Sequence, residues 1–311
     1  MFYVATLISR PDRPAVTDVL ADKAARYLPH GRAIGWLAPG IAVDIAFLME
    51  DIANDDAEPA GDESLLKDFA NDIREMMEGA PIDVVIQRDE QRRKRLLVAD
   101  MDSTMIGQEC IDELADFAGL KDHVAAITER AMRGEIAFAP ALRERVALLK
   151  GLPASVIDQV IAERIRLTPG GRTLIATMRA HGAFSCLVSG GFTAFTARIA
   201  TMIGFDEQRA NTLLVDGDGK LSGKVAEPIL GREAKRATLI ELRERFRIDA
   251  AETLAVGDGA NDLDMIEAAG LGVAYHGKPA VAIAADARID HGDLTALLYA
   301  QGYRREELVE G

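Results

Sequence analysis

Four short apolar runs constrain this chain most: LLVAD (96–100), FSCLVSG (184–190), TLAVGDG (253–259) and LGVAY (271–275). Segments with helical spacing, 170–181, 191–203, 232–246 and 261–269, stand between them. Short continuous apolar runs read as strands buried on both faces, and their alternation with helices implies a mostly parallel sheet covered on both sides. Ligands of such sheets bind beyond the carboxyl ends of the strands. The residues that directly follow each run are therefore where chemistry is to be sought.

One connection is far too long for an ordinary strand-to-helix loop of roughly 2–6 residues. About seventy residues separate LLVAD from the helix at 170, and IGQECIDELADFAGL, DHVAAITERAMRG and APALRERVALLKG within them carry helical periodicity with glycine stops. A helical insert over a strand tip is a cap, placed at about 104–168. Residues 1–87 read separately as β-α-β-β-α-β, the ferredoxin-like order, with strands at 3–9, 33–38, 41–48 and 82–87, helices at 16–28 and 64–77, and an acidic loop at 50–63. RDEQRRKR (88–95) reads as a solvated, charged linker to a second domain, 96–311.

With 311 residues the chain has room for two domains, and 49% apolar residues suffice for real cores. No apolar run is long enough for a membrane span, and the N-terminus lacks the pattern of a signal peptide. Cys110 and Cys186 belong to no CxxC pattern and fit a reducing cytoplasm as unpaired thiols. A formal charge of −14 argues against nucleic acid and anionic membranes as partners. Any phosphate site must then carry its own local positive charge.

Asp100 and Asp102 follow the first run one residue apart, on one side of an extended chain. Two carboxylates so close are tolerable when one holds a proton or a cation lies between them; otherwise Asp102 merely starts a turn, with Ser103 and Thr104 capping the next helix. The third run ends in Asp258, with Asp262 opening the next helix. Two acidic strand tips facing one crevice make a hard-oxygen site suited to Mg²⁺, and Gly257 and Gly259 let the backbone turn sharply beside it. Ser189-Gly190-Gly191 is read as opening a helix, with a hydroxyl and free N–H groups pointing outward. Lys235, in the first turn of REAKRATLIELRERF, opposes the helix dipole, so it is either solvated or faces an anion. In the cap, Arg145 lies beside the apolar stripe Leu142, Val146 and Leu149, and Glu109 stands at the cap entrance. DGDGKLSGKVAE (216–227) mimics a calcium loop, but Leu221 replaces its required glycine, and the segment reads as a hairpin. Nucleotide-binding glycine motifs are absent, and the five histidines show no metal or triad spacing.

Together, DMDST, the serine after the second run, Lys235 and GDGAND resemble the haloacid-dehalogenase (HAD) superfamily and, within it over about residues 94–300, the phosphoserine phosphatases. The resemblance implies a HAD-type, Rossmann-like α/β core with a helical cap after its first strand, and hydrolysis of O-phospho-L-serine with Mg²⁺. It implies Asp100 as nucleophile and Asp102 as general acid and then base. Mg²⁺ would be held by the Asp100 carboxylate, the Asp102 carbonyl and Asp258, with Asp262 in support. Ser189, the Gly190 N–H and Lys235 would hold the phosphoryl oxygens, and Asn261 would orient the group. Glu109 would face the substrate ammonium and Arg145 its carboxylate, with Met132 and Phe138 walling off water.

The first 87 residues resemble ACT-type regulatory domains. Where those carry D-R-P-G, this chain has Asp12-Arg13-Pro14-Ala15. Alanine takes glycine's positive φ only at a cost, so packing or homodimerisation is as good a reading as effector binding at that turn. Two other functions stay open at this level: phosphoryl transfer from Asp100 to another alcohol such as homoserine, and an idle amino-acid sensor.

Overall fold

The structure, a computed structural model, describes residues 1–49, 60–132 and 135–311, the side chains of 32–34, 60–63 and 132 excepted. The N-terminal unit runs β1 (Phe2–Ser9), α1 (Asp18–Tyr27), β2 (Arg32–Ala38), β3 (Ala42–Leu48), α2 (Ala60–Met76) and β4 (Ile82–Arg88). Its antiparallel sheet has the order β2-β3-β1-β4 expected of a ferredoxin-like fold. Thr17 caps α1 by accepting the Leu20 N–H, and Ala21, Ala24 and Ala25 turn the buried face of that helix to the sheet. Of the acidic stretch read as a loop, 50–59 lies outside the described residues and 60–63 belong to α2.

The second sheet is parallel throughout, in the order β12-β11-β10-β5-β6-β7. It begins with β5 (Leu96–Ala99), whose four residues are fully buried, as a central strand covered on both faces requires. The cap follows directly: α3 (Cys110–Phe117), α4 (Lys121–Met132), α5 (Phe138–Leu148) and α6 (Val156–Glu163). The chain then continues through α7 (Gly171–Ala180), β6 (Phe184–Phe192), α8 (Thr193–Ile203), β7 (Glu207–Asn211), the separate hairpin β8 (Leu213–Val215) and β9 (Leu221–Val225), and α9 (Arg232–Phe246). It ends with β10 (Thr253–Gly257), α10 (Leu263–Ile266), β11 (Leu271–Tyr275), α11 (Pro279–Ala284), β12 (Ala287–Ile289) and α12 (Ala296–Ala300). From β5 the chain builds outward one way through β6 and β7, and from β10 the other way through β11 and β12. The switch point lies between β5 and β10, where a crevice opens at the carboxyl ends.

Several sequence expectations need correction. The edge strands β7 and β12 were not foreseen, because EQRAN and ARI lack an apolar run. The helix expected at 261–269 is only a short 3₁₀ turn at Ala260–Asp262 followed by α10. The segment 88–95 is largely exposed, as a charged linker would be, but two of its residues are held against the protein. Arg92 forms a two-pronged ion pair with Asp44 of β3 at 2.7 and 3.0 Å, and Lys94 is 5% exposed. From the other side, Asp83 of β4 accepts the backbone N–H groups of Asp290, His291 and Gly292. These charge-assisted bonds anchor the N-terminal sheet on the larger one.

Candidate active site

Asp100 follows the last residue of β5, and its own N–H still donates to Val256 of β10 at 3.0 Å. The strand ends before the acidic pair, so the two acids do not sit on one strand face. They are placed instead by a wide turn over Met101–Met105, interrupted at Asp102 and at Ser103, whose φ is 56°. The turn is pinned by side chains. Asp102 Oδ1 accepts the Cys110 N–H at 3.0 Å, and Ser103 Oγ donates to Glu109 Oε1 at 2.8 Å. Ser103 and Thr104 thus start no helix; α3 begins after Glu109.

Asp100, Asp102, Glu109, Phe138, Arg145, Ser189, Gly190, Asp258 and Asn261 line one cavity of about 150 Å³. That is below the roughly 300–1,000 Å³ of drug-sized ligand pockets and suits a small substrate. Its floor is the strand tips; its roof is Phe138 and Arg145 of α5, with Ile111 of α3. Two expected site residues lie beneath the floor. Lys235 is 1% exposed, and its Nζ donates to Asp100 Oδ1 and Asp262 Oδ1 at 2.6 Å each. Asp262 is fully buried, and its Oδ2 accepts the Gly259 N–H at 3.0 Å. Met132 closes α4, and its side chain lies outside the described residues.

The glycines have reasons other than those expected. β6 runs through to Phe192 and α8 starts at Thr193, so Ser189-Gly190-Gly191 lies at a strand end and opens no helix. A Cβ on Gly190 would stand 3.1 Å from Phe138 Cζ, and one on Gly191 3.2 Å from Asp102 Oδ2. Both positions are kept bare so that cap and acid can approach the strand. Gly257 and Gly259 are in ordinary negative-φ backbone. A Cβ on Gly257 would meet Asp262 Cγ at 2.3 Å, so that glycine makes room for a buried carboxylate and not for a turn.

Charge is balanced locally. Burial acts most strongly on Lys235 and by itself lowers its pKa, but Asp100 and Asp262 together outweigh it and hold the ammonium protonated. Asp100 is pushed well above the usual carboxylate range, by burial first and by Asp262 next. Asp102 is raised as well, by burial, despite the Cys110 N–H. Glu109 at the open end of the cavity is pushed up to about 7, by the protein around its carboxyl and then by Asp102. Carboxylate oxygens of Asp100, Asp258 and Asp262 lie within 4.8 Å of one another. That all-oxygen donor set could hold a hard divalent cation.

The sequence reading missed Lys278. It lines the cavity beside Asp258, with Nζ 3.6 Å from Oδ2. The signal was present, since HGKP directly follows LGVAY and so stands at a strand tip of the same sheet.

Residues 97–267 match the family of haloacid dehalogenase-like hydrolases. The chain is 46% identical over 230 residues, 74% of its length, to a phosphoserine phosphatase of Streptomyces coelicolor; the match spans 56% of that relative's own length. It is 47% identical over 209 residues to a phosphoserine phosphatase of a Polaromonas species, covering 66% of this chain and 88% of the relative. The crystal structure of a probable phosphoserine phosphatase from Vibrio cholerae superposes with a TM-score of 0.74 at 30% identity, over 98% of this chain and 88% of that one. The chain belongs to the haloacid dehalogenase-like hydrolases, in the group that holds the phosphoserine phosphatases.

Proposed function

We propose that this protein hydrolyses O-phospho-L-serine to L-serine and phosphate through a phosphoaspartyl intermediate on Asp100, the closing step of serine synthesis. The observation that carries the reading is the shared cavity. Acids suited to phosphoryl transfer, Asp100 and Asp102, open into the same small space as Glu109 and Arg145, which match the two charged ends of an amino acid.

The Asp100 carboxylate attacks phosphorus as the bond from phosphorus to the serine oxygen breaks. Asp102 delivers a proton to the departing oxygen. Oδ1 accepts the Cys110 N–H at 3.0 Å, so the proton is carried on Oδ2, whose contact with Ser189 Oγ at 3.4 Å is the looser one, and the raised pKa of Asp102 favours its retention. Asp102 then takes a proton from water, which attacks phosphorus; the phosphorus–Asp100 bond breaks and phosphate leaves. Ser189 Oγ, which accepts the Gly191 N–H at 2.9 Å, and the Gly190 N–H hold the phosphoryl oxygens, with Asn261 beside them. Lys235 acts from below by fixing the orientation of Asp100. Mg²⁺ at Asp100, Asp258 and Asp262, with the Asp102 carbonyl, would neutralise charge developing on the phosphoryl oxygens. Phe138 excludes water from the roof.

The test is phosphate release from O-phospho-L-serine and from an aryl phosphate, with Mg²⁺ or EDTA, for wild type and Asp100→Asn. Metal-dependent release from phosphoserine that the variant lacks is expected. Release from the aryl phosphate alone would sink the assignment of Glu109 and Arg145. Product analysis with added homoserine separates hydrolysis from transfer to a second alcohol. Two buried free thiols support a reducing, cytoplasmic setting as part of this proposal. Exposed Phe2, Val19 and Leu48 support homodimerisation through the N-terminal unit, which sedimentation would test.

A further inference from the structure

Lys235, the lysine that sequence resemblance assigns to the phosphoryl group, is engaged elsewhere. Its ammonium lies beneath the cavity floor, 1% exposed, and donates to Asp100 and Asp262. The cavity itself is lined by four acids, Asp100, Asp102, Glu109 and Asp258, and by two cations, Arg145 and Lys278. A phosphate monoester is close to a dianion at neutral pH, and here it must enter a chain of formal charge −14. Arg145, on the roof, matches the carboxylate end of the substrate. Lys278 is the lining cation that remains for the phosphoryl end.

Lys278 has a fixed stem and a free head. Its N–H donates to the Asp258 carbonyl at 2.9 Å, and its own carbonyl accepts the N–H groups of Val281 and Ala282 at 2.9 and 3.0 Å. Pro279 follows at once and opens α11 with a locked φ. The backbone is thus tied to the acidic tip of β10 on one side and to a helix on the other. The ammonium is held far less firmly. Its ion pair with Asp258 Oδ2, at 3.6 Å, is too long for a hydrogen bond, and its side chain is 60% exposed. Burial raises the pKa of Asp258 and of Glu109, and the charge on Lys278 opposes the rise in both. The ammonium therefore acts on the floor and on the open end of the cavity, with N–H donors to offer a ligand.

We infer that Lys278 is a second phosphoryl-binding cation, which takes a phosphoryl oxygen of the substrate at the cavity mouth and holds the phosphate product there until release. This inference deepens the proposed reaction and rests on it for the choice of substrate. Strands β11, β10, β5 and β6 are neighbours in the sheet. Asp258 and Asp100 come from the inner two, Ser189 from β6, and Lys278 from the segment after β11. The phosphoryl group is then gripped from both flanks of the acids that act on it. No bond or proton changes hands at Lys278; its part is electrostatic.

The test compares wild type, Lys278→Met and Lys278→Arg by calorimetric titration with inorganic phosphate in saturating Mg²⁺. Lys278→Met is expected to weaken phosphate binding about tenfold, the worth of a charge-assisted hydrogen bond, and Lys278→Arg to recover most of it. In turnover, KM for O-phospho-L-serine should rise about as much in Lys278→Met, with kcat changed by less than about twofold. L-Serine, which lacks the phosphoryl group, should bind all three proteins alike. Mg²⁺ affinity should not fall, because Lys278 repels a cation at Asp258. Unchanged phosphate affinity in Lys278→Met, no saturable phosphate binding by wild type, or an equal loss of serine affinity would each overturn the inference. So would a fall in Mg²⁺ affinity, which would make Lys278 a mere support for Asp258. Failure of the proposed reaction reads differently: phosphate binding would still depend on Lys278 while phosphoserine stayed uncleaved, and the inference would stand.

Discussion

Two lysines are buried at opposite ends of the same parallel sheet, and their surroundings differ in one respect. Lys235, at the carboxyl end, lies between two carboxylates at 2.6 Å and is held protonated. Lys94, at the amino end, has two carbonyls and a pKa lowered to about 8. Burial opposes the charge in both; only paired carboxylates reverse its sign. The same residue type thus stays charged at one end, between two carboxylates, and holds its charge less firmly at the other, where burial outweighs the more distant Asp286 and Glu252.

The largest expected effect comes from breaking the pair at the catalytic end. Lys235→Met leaves Asp100 and Asp262 facing each other in the interior, and we expect a loss of about 3–5 kcal/mol in denaturant unfolding with EDTA present, together with loss of phosphatase activity. A change within experimental scatter would show that the acids need no such partner.

The second effect sharpens the contrast through pH. The folded pKa of Lys94, about 8, lies below its usual 10.5. Between those values the unfolded chain binds more protons, so the charge on Lys94 penalises the native state at low pH and the penalty fades as pH rises. The stability of wild type minus that of Lys94→Met should therefore increase from about pH 8 to 10.5, by no more than about 3 kcal/mol. A flat difference would mean that Lys94 is as well solvated as an exposed lysine.

A smaller effect is expected at the roof of the catalytic cavity. Arg145 has its pKa lowered by burial, with Asp112 and Glu109 opposing, and among the described residues its guanidinium makes two long hydrogen bonds, Nε to the Ala141 carbonyl and Nη1 to Thr128 Oγ1, each at 3.4 Å. Its guanidinium is thus lightly held and available to a carboxylate. Arg145→Ala should raise KM for O-phospho-L-serine by about 10–100-fold, worth roughly 1.5–3 kcal/mol, while aryl phosphate cleavage stays nearly unchanged. Equal loss on both substrates would make Arg145 a structural residue of the cap.

Much of the architecture was legible without coordinates because it rests on local pattern. Buried strands announce themselves as apolar runs, and the helical insert declared its place after the first run by length alone. The acids Asp100, Asp102 and Asp258 were legible for the same reason, each being tied to a run that ends beside it. Edge strands β7 and β12 were not, since an edge takes its pairing from a neighbour and needs little apolar character of its own.

What the sequence by itself determined is the order of the buried strands and the longer helices, the cap, and which residue types reach the carboxyl ends. Only tertiary structure decided how their charges are balanced. Lys235 is read from sequence as a lysine at a helix start; burial between Asp100 and Asp262, 135 and 27 residues away, makes it a counter-ion. Gly257 reads as a turn glycine, and packing makes it the space that Asp262 occupies. The charged run at 88–95 reads as solvated, yet contact with both sheets buries Lys94 and pairs Arg92 with Asp44. Desolvation and long-range pairing depend on distances between residues remote in sequence, and these exist only in the folded chain.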